Sequence, residues 1–123
     1  MKLRVRGNSI RLRLTQTEVA RIAAGEPVEE RTVFAADARF AYRFETDATL
    51  DAPVARYRDG TMCIAWPKED AVAWATSERV GLAASCAIPD GALQLAVEKD
   101  FACLAPRAGG EDIDTFPHPR AGS

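Results

Sequence analysis

Polar and apolar positions alternate from the first residues of the chain. In KLRVR (2–6), Leu3 and Val5 fall on one side and Lys2, Arg4 and Arg6 on the other, the pattern of a half-buried strand. SIRLRL (9–14) repeats it, with Ile10, Leu12 and Leu14 apolar and Arg11 and Arg13 on the polar side. Gly7-Asn8 between them suits a two-residue hairpin turn that needs positive φ. In that register Val5 faces Ile10, Arg4 faces Arg11 and Lys2 faces Arg13.

The period then changes to that of a helix. TQTEVARIAAG (15–25) opens with Thr15 and Glu18 in the T-x-x-E spacing of a capping box. Val19, Ile22 and Ala23 share one face, and Gly25 supplies a left-handed stop. Two further strands are expected near 28–34 and 39–45, joined by a short connection at AADA. In the second of them Phe40, Tyr42 and Phe44 share one side.

The pattern begins again after residue 50. YRDGTMCIAWPKEDAVAWATSERV (57–80) lies on VRGNSIRLRLTQTEVARIAAGEPV (5–28) at an offset of 52 without a gap. Asp59-Gly60 takes the place of Gly7-Asn8, and Met62, Ile64 and Trp66 that of Ile10, Leu12 and Leu14. Pro67 is expected at a first-turn helix position, where a missing N–H is tolerated. Ala71, Trp74 and Ala75 match Val19, Ile22 and Ala23, and Val80 matches Val28. Further on, LQLAV (93–97) matches FAYRF (40–44) with one extra residue.

Each half therefore reads β-β-α-β-β. The expected fold class is α+β: internally duplicated units, a mainly antiparallel sheet or small barrel with two helices, and pseudo-twofold symmetry. One duplicated domain is expected over 1–104, with halves of about 1–50 and 51–104. Residues 105–123 are rich in Gly, Pro and acid and read as a C-terminal arm.

Composition changes the picture little. With 123 residues, 47% of them hydrophobic and 28% charged, the chain is ordinary for one globular domain. The net charge of −2 offers no overall attraction to nucleic acid or an anionic membrane. The distribution is uneven: 11 bases face 9 acids in residues 1–60, and 5 face 9 in residues 61–123. No apolar run reaches the length of a membrane span, and no secretory leader is legible. Three cysteines without close pairing fit free thiols in a reducing compartment, so a cytoplasmic location is expected.

Two stretches carry a resemblance. MKLRVRGNSIRLRLTQTEV at the start and VEKDFACLAPRAGGEDIDTFPHP near the end resemble the two ends of a small bacterial domain family of unknown function. The resemblance covers nearly the whole chain and implies a compact stand-alone bacterial protein. It brings no activity, cofactor or catalytic residue. A second, shorter stretch, YRDGTMCIAWPKEDAVAW (57–74), is similar to the swapped-hairpin transition-state-regulator domains, which bind DNA as dimers. It departs from them afterwards, reading SERVGL where those domains place a Gly-Asp turn.

Three groups of residues are candidates for chemistry. Lys2, Arg4, Arg6, Arg11 and Arg13 share one face of the first hairpin and could bind a phosphate-containing ligand, an acidic protein or the acidic C-terminal arm. Their bland counterpart is a solvated face on which carboxylates of a neighbouring strand, such as Glu29, Glu30 or Glu45, interleave with the cations. No aromatic residue interleaves on that face, so nucleic acid is not favoured. Second, Glu98, Lys99 and Asp100 could line a cleft at the end of the last strand, with Cys103 as a thiol near His118, although a small buried cysteine is the default reading. Third, Cys103, Glu111, Asp112, Asp114 and His118 offer metal ligands but lack a recognised ligand spacing. Phosphate loops, dinucleotide fingerprints and nucleophile elbows are absent, and no cofactor is expected.

The reading these features support is a small cytoplasmic binding protein, without catalysis, that uses its basic hairpin face. The alternatives are a swapped-hairpin-like DNA-binding regulator, and a metal-binding protein or enzyme with a site near the C-terminal segment. Open strand edges make a homodimer an expected form.

Overall fold

A computed structural model describes residues 1–101, in which each alternating stretch has become a strand. The elements run β1 (Lys2–Arg6), β2 (Ser9–Leu14), α1 (Gln16–Ala23), β3 (Val28–Ala35), β4 (Ala38–Asp47), β5 (Val54–Arg58), β6 (Thr61–Pro67), α2 (Lys68–Ala75), β7 (Gly81–Ile88) and β8 (Gly91–Lys99). The first hairpin has the register expected from its turn, with Arg4 opposite Arg11 and Val5 opposite Ile10. Gly7 has positive φ and Asn8 does not, the II′ arrangement. At the second turn both Asp59 and Gly60 have positive φ, the I′ arrangement. Both turns have the twist that antiparallel strands require.

α1 begins and ends on the residues that the pattern marked. The Thr15 N–H donates to Glu18 Oε1 at 2.9 Å, and the Glu18 N–H donates to Thr15 Oγ1 at 3.3 Å, completing the capping box. At the other end Gly25, φ +82°, donates to the Ile22 carbonyl and Glu26 donates to the Arg21 carbonyl, both at 2.9 Å. This pair of bonds is the Schellman ending, which satisfies two otherwise orphaned carbonyls. In α2, Pro67 is the N-cap rather than a first-turn residue, and it brings no side-chain cap bond.

The strands form two four-stranded sheets, ordered β1-β2-β8-β7 and β3-β4-β6-β5. Each sheet joins one hairpin from residues 2–47 to one from residues 54–99. The hairpins are antiparallel, but the central pairs β2–β8 and β4–β6 are parallel. The α+β class holds, with a correction: both sheets are mixed, and neither closes into a barrel. Closure would require β1, β7, β3 and β5 to pair with one another, and among the described residues each pairs only within its own hairpin.

The two sheets share a register. Ser9 lies opposite Gln94 in the first, and Thr61 opposite Ala41 in the second. Residues 9 and 61 differ by 52, and residues 41 and 94 by 53, the offsets already present in the hydrophobic pattern. One match moves. Val28 faces Phe44, and the equivalent pair is Leu82 with Val97, two residues beyond Val80. Leu82 is buried and Val80 is 46% exposed. The Trp74 indole N–H donates to the Val80 carbonyl at 3.1 Å, so the longer connection uses its backbone to satisfy a buried ring.

The core is supplied mainly by the central strands and the helices. Leu12, Leu14, Ile22, Phe44, Ile64, Trp74 and Val97 are completely buried. Phe44 meets Trp74 edge-on, with ring centroids 6.4 Å apart and planes at 90°, and Trp66 at 6.3 Å and 61°. These are the favoured aromatic geometries. With the apolar side of β2 turned into this core, its arginines must lie on the outer face of the first sheet.

Candidate functional site

The strand registers lay out that outer face in rows. Lys2, Arg13, Glu98 and Gly81 form one row, Arg4, Arg11, Ala96 and Ala83 the next, and Arg6, Ser9, Gln94 and Ser85 a third. The face is a bank of cations beside a floor of small and neutral side chains. No aromatic residue stands in these rows. Arg4, Arg6, Ser9 and Arg11 border a depression of about 330 Å³, and Lys2, Leu3, Arg4, Arg11 and Arg13 a smaller one of about 180 Å³.

Two carboxylates from β8 and its end partly neutralise the bank. Glu98 lies 3.5 Å from the Arg11 Nε and 3.7 Å from the Arg13 Nε. The buried carboxylate of Asp100 lies 3.1 Å from the Lys2 ammonium. Arg4 and Arg6 have no carboxylate partner among the described residues. Five cations therefore meet two anions on this face. Arg4 lies directly opposite Arg11, an arrangement that costs energy without a counter-charge.

A neighbouring strand does supply an interleaving carboxylate, Glu98, but the particular ones expected, Glu29, Glu30 and Glu45, are elsewhere. Glu29 and Glu45 lie on the outer face of the second sheet. Arg31 is 3.0 Å from Glu29, and Arg43 is 2.7 Å from Glu45 and 3.8 Å from Glu29. Glu30 accepts from the Met1 amine at 2.7 Å and from the Tyr42 hydroxyl at 2.7 Å. Burial pushes the Glu30 carboxyl up, but these two bonds and the charge of the amine outweigh it and hold the carboxyl below its ordinary value. The reason is topological: β3 and β4 belong to the other sheet, and the partner of β2 is β8. Nothing in the local pattern of residues 9–14 names a strand more than eighty residues away.

On the second sheet the thiol of Cys63 stands where the first sheet has Arg11, opposite Arg56. It donates to Glu45 at 3.2 Å. Burial, with the adjacent Glu45 carboxylate, pushes this thiol up to about 11, so it stays protonated and is a poor nucleophile. Cys86 is half-buried beside the core and lies 3.4 Å from the Pro53 carbonyl.

The end of β8 does border a depression, of about 300 Å³, lined by Arg13, Val80, Glu98, Lys99, Asp100 and Phe101. Lys99 lies across the Trp74 ring, 5.8 Å from its centroid, and donates to the Ser77 carbonyl. Burial pushes its ammonium down from its ordinary value. Among the described residues no three His, Cys, Asp or Glu side chains gather as metal ligands would. Cys103, Glu111, Asp112, Asp114 and His118 lie outside the described residues, as does the expected Cys103–His118 pair. Among the described residues no helix is long and apolar enough to cross a membrane.

Fold and face together define a small α+β protein with two mixed sheets and one sparsely neutralised cationic surface. The chain belongs to the family of unknown function DUF7009, whose family model matches residues 1–120. No curated protein and no solved structure matches it.

Proposed function

We propose that this is a binding protein, acting without catalysis, whose first sheet holds an anionic partner on the face carrying Lys2, Arg4, Arg6, Arg11 and Arg13. The observation that carries the reading is the contrast between the two sheets. On the second, Glu29 and Glu45 answer Arg31 and Arg43, Asp59 lies 3.7 Å from Arg58, and the charges of Glu45 and Asp47 reach Arg56, leaving Arg39 alone unanswered among the described residues; on the first, the neighbours Arg4 and Arg6 both meet no carboxylate among the described residues. Guanidinium groups suit this task, since each presents a fixed fork of donors to a carboxylate or phosphate.

The test uses heparin as a generic polyanion. The full chain binds it, with an affinity that falls as salt rises. R4E/R6E weakens binding by about tenfold or more without lowering the melting temperature, since it sets a carboxylate opposite Arg11, and R56E/R58E on the other sheet leaves binding in place. Equal binding by R4E/R6E and the parent chain overturns the reading.

An internal duplication is part of the same proposal: one ancestral β-β-α-β-β unit, repeated within 1–104. Its support is the coincidence of the sequence offsets of 52 and 53 with equivalent pairs in the two sheets. On this reading the arginines at 11 and 13, which become Cys63 and Ala65 in the second unit, belong to binding rather than to folding. A bacterial cytoplasmic location is proposed with it, supported by the free thiols of Cys63 and Cys86.

A further inference from the structure

We infer that the anionic partner is an extended acidic peptide that adds to the free edge of β1 as a fifth strand. The inference rests on the binding reading above and narrows it to one chemistry.

Among the described residues, strand β1 ends its sheet and pairs only with β2. In a hairpin with a two-residue turn, the residues flanking the turn bond to each other, and bonded pairs recur at every second position. Arg6–Ser9, Arg4–Arg11 and Lys2–Arg13 are then the bonded pairs. The backbone N–H and C=O of Val5, between them, point away from β2 toward the open edge. Val5 is also 60% exposed, although its side chain is on the same side of the sheet as the core residue Ile10.

A strand laid against this edge would bond to the backbone of Val5. Its residue opposite Val5 would cover that exposed side chain. Its residues on either side would fall opposite Arg4 and Arg6, on the outer face, at the positions where cross-strand side chains approach closest. The sequence selected is acid–apolar–acid. Lys2 is already held by Asp100, which leaves Arg4 and Arg6 as the cations that choose the partner.

The same charges argue against a second copy of the chain. Antiparallel pairing of two β1 edges centred on Val5 would set Arg4 of one against Arg6 of the other. Charged edges commonly block such self-pairing. The remaining edges are less suited: β3 shifts register between Val33 and Ala35, β7 carries Ala83, Ser85 and Ala87 on its outer side, and on β5 Arg58 already lies 3.7 Å from Asp59 while Arg56 stands in the field of Glu45 and Asp47.

The experiment titrates the isotope-labelled full chain with two synthetic peptides of one composition, one alternating Asp with Ile and one with the aspartates grouped. The alternating peptide binds about tenfold more tightly or better, and slows exchange of the Val5 amide. V5P removes the outward N–H at an edge position that tolerates proline. It abolishes selection between the peptides while heparin binding persists. Equal binding of the two peptides, or an unprotected Val5 amide, overturns edge addition and leaves the anionic reading standing. Loss of heparin discrimination between R4E/R6E and the parent chain removes both. Duplex DNA binding that exceeds peptide binding and ignores V5P, or a dimer that V5P dissociates, assigns the surface to nucleic acid or to a second copy and overturns the peptide.

Discussion

Glu98 sits between Arg11 and Arg13, 3.5 Å from one guanidinium and 3.7 Å from the other, so one carboxylate from β8 serves two cations of β2. The arrangement depends on the parallel pairing that sets Arg13 opposite Glu98. Without it, the row Arg4–Arg11 and its neighbour Arg13 would repel with only solvent between them.

E98Q therefore acts in two directions. It lowers stability by about 1 kcal/mol at low salt, the scale of a partly exposed ion-pair network, and by less at high salt. It also strengthens heparin binding, because the face becomes more positive. Urea unfolding at two ionic strengths, with heparin titration of the same variant, checks both. Weakened heparin binding in a folded E98Q would show that Glu98 helps to shape the site rather than limiting its charge.

Gly60 and Gly7 predict unequal outcomes for the same substitution. Both have positive φ, but a Cβ at Gly60 would come within 2.7 Å of the Arg39 carbonyl oxygen, whereas one at Gly7 meets nothing within 4 Å. G7A costs about 1 kcal/mol, from backbone strain alone. G60A costs more than G7A, since the Arg39–Ala41 segment, whose Ala41 N–H donates to the Gly60 carbonyl, must also move. Thermal melts of the two single variants rank them.

Trp74 is the centre of the core. W74A destabilises by about 3–5 kcal/mol, the range for deleting a buried aromatic side chain. W74F keeps most of the ring contact with Phe44 but leaves the Val80 carbonyl without its indole donor, so it falls between W74A and the parent chain. Equilibrium unfolding of both checks the order.

Stability should be level from about pH 5 to pH 8 and fall on either side. Burial pushes the Met1 amine down, but its bonds to Glu30 and Glu18 and their charges outweigh this and hold it above its ordinary 8.0. A raised folded value contributes stability that is complete below 8.0 and is lost as pH rises through that folded value. Glu30, held below its ordinary 4.5, contributes above 4.5 and loses its contribution as pH falls through its folded value. E30Q flattens the acid limb and weakens the alkaline one. A pH series of unfolding midpoints for the two proteins reads this directly.

The first hairpin and the ends of α1 were legible in the residues because their causes are local, whereas Pro67, with no side-chain cap bond, marked the start of α2 only to within a residue. Gly7-Asn8 specifies a turn, and the turn sets Arg4 opposite Arg11. Thr15, Glu18 and Gly25 mark the ends of α1 through bonds within a few residues of one another. The five cations of the candidate face were legible for the same reason, since alternation along two short strands puts them on one side.

What the local pattern could not reach was the identity of the neighbours. Hydrophobic periodicity tells which side of β2 is buried but not which strand lies beside it, because any apolar-faced strand satisfies that side equally well. The assembled core chose β8 for β2 and β6 for β4, and so brought Glu98 and Asp100, rather than Glu29 and Glu45, to the basic hairpin. It also placed Leu82, not Val80, in the core, where the Val80 carbonyl accepts from the Trp74 indole. The sequence by itself determined the order of the elements, the register of the first hairpin and the cations that this hairpin carries. Tertiary packing alone decided which charges are answered, because long-range strand pairing follows from the burial of the whole core and not from any one segment.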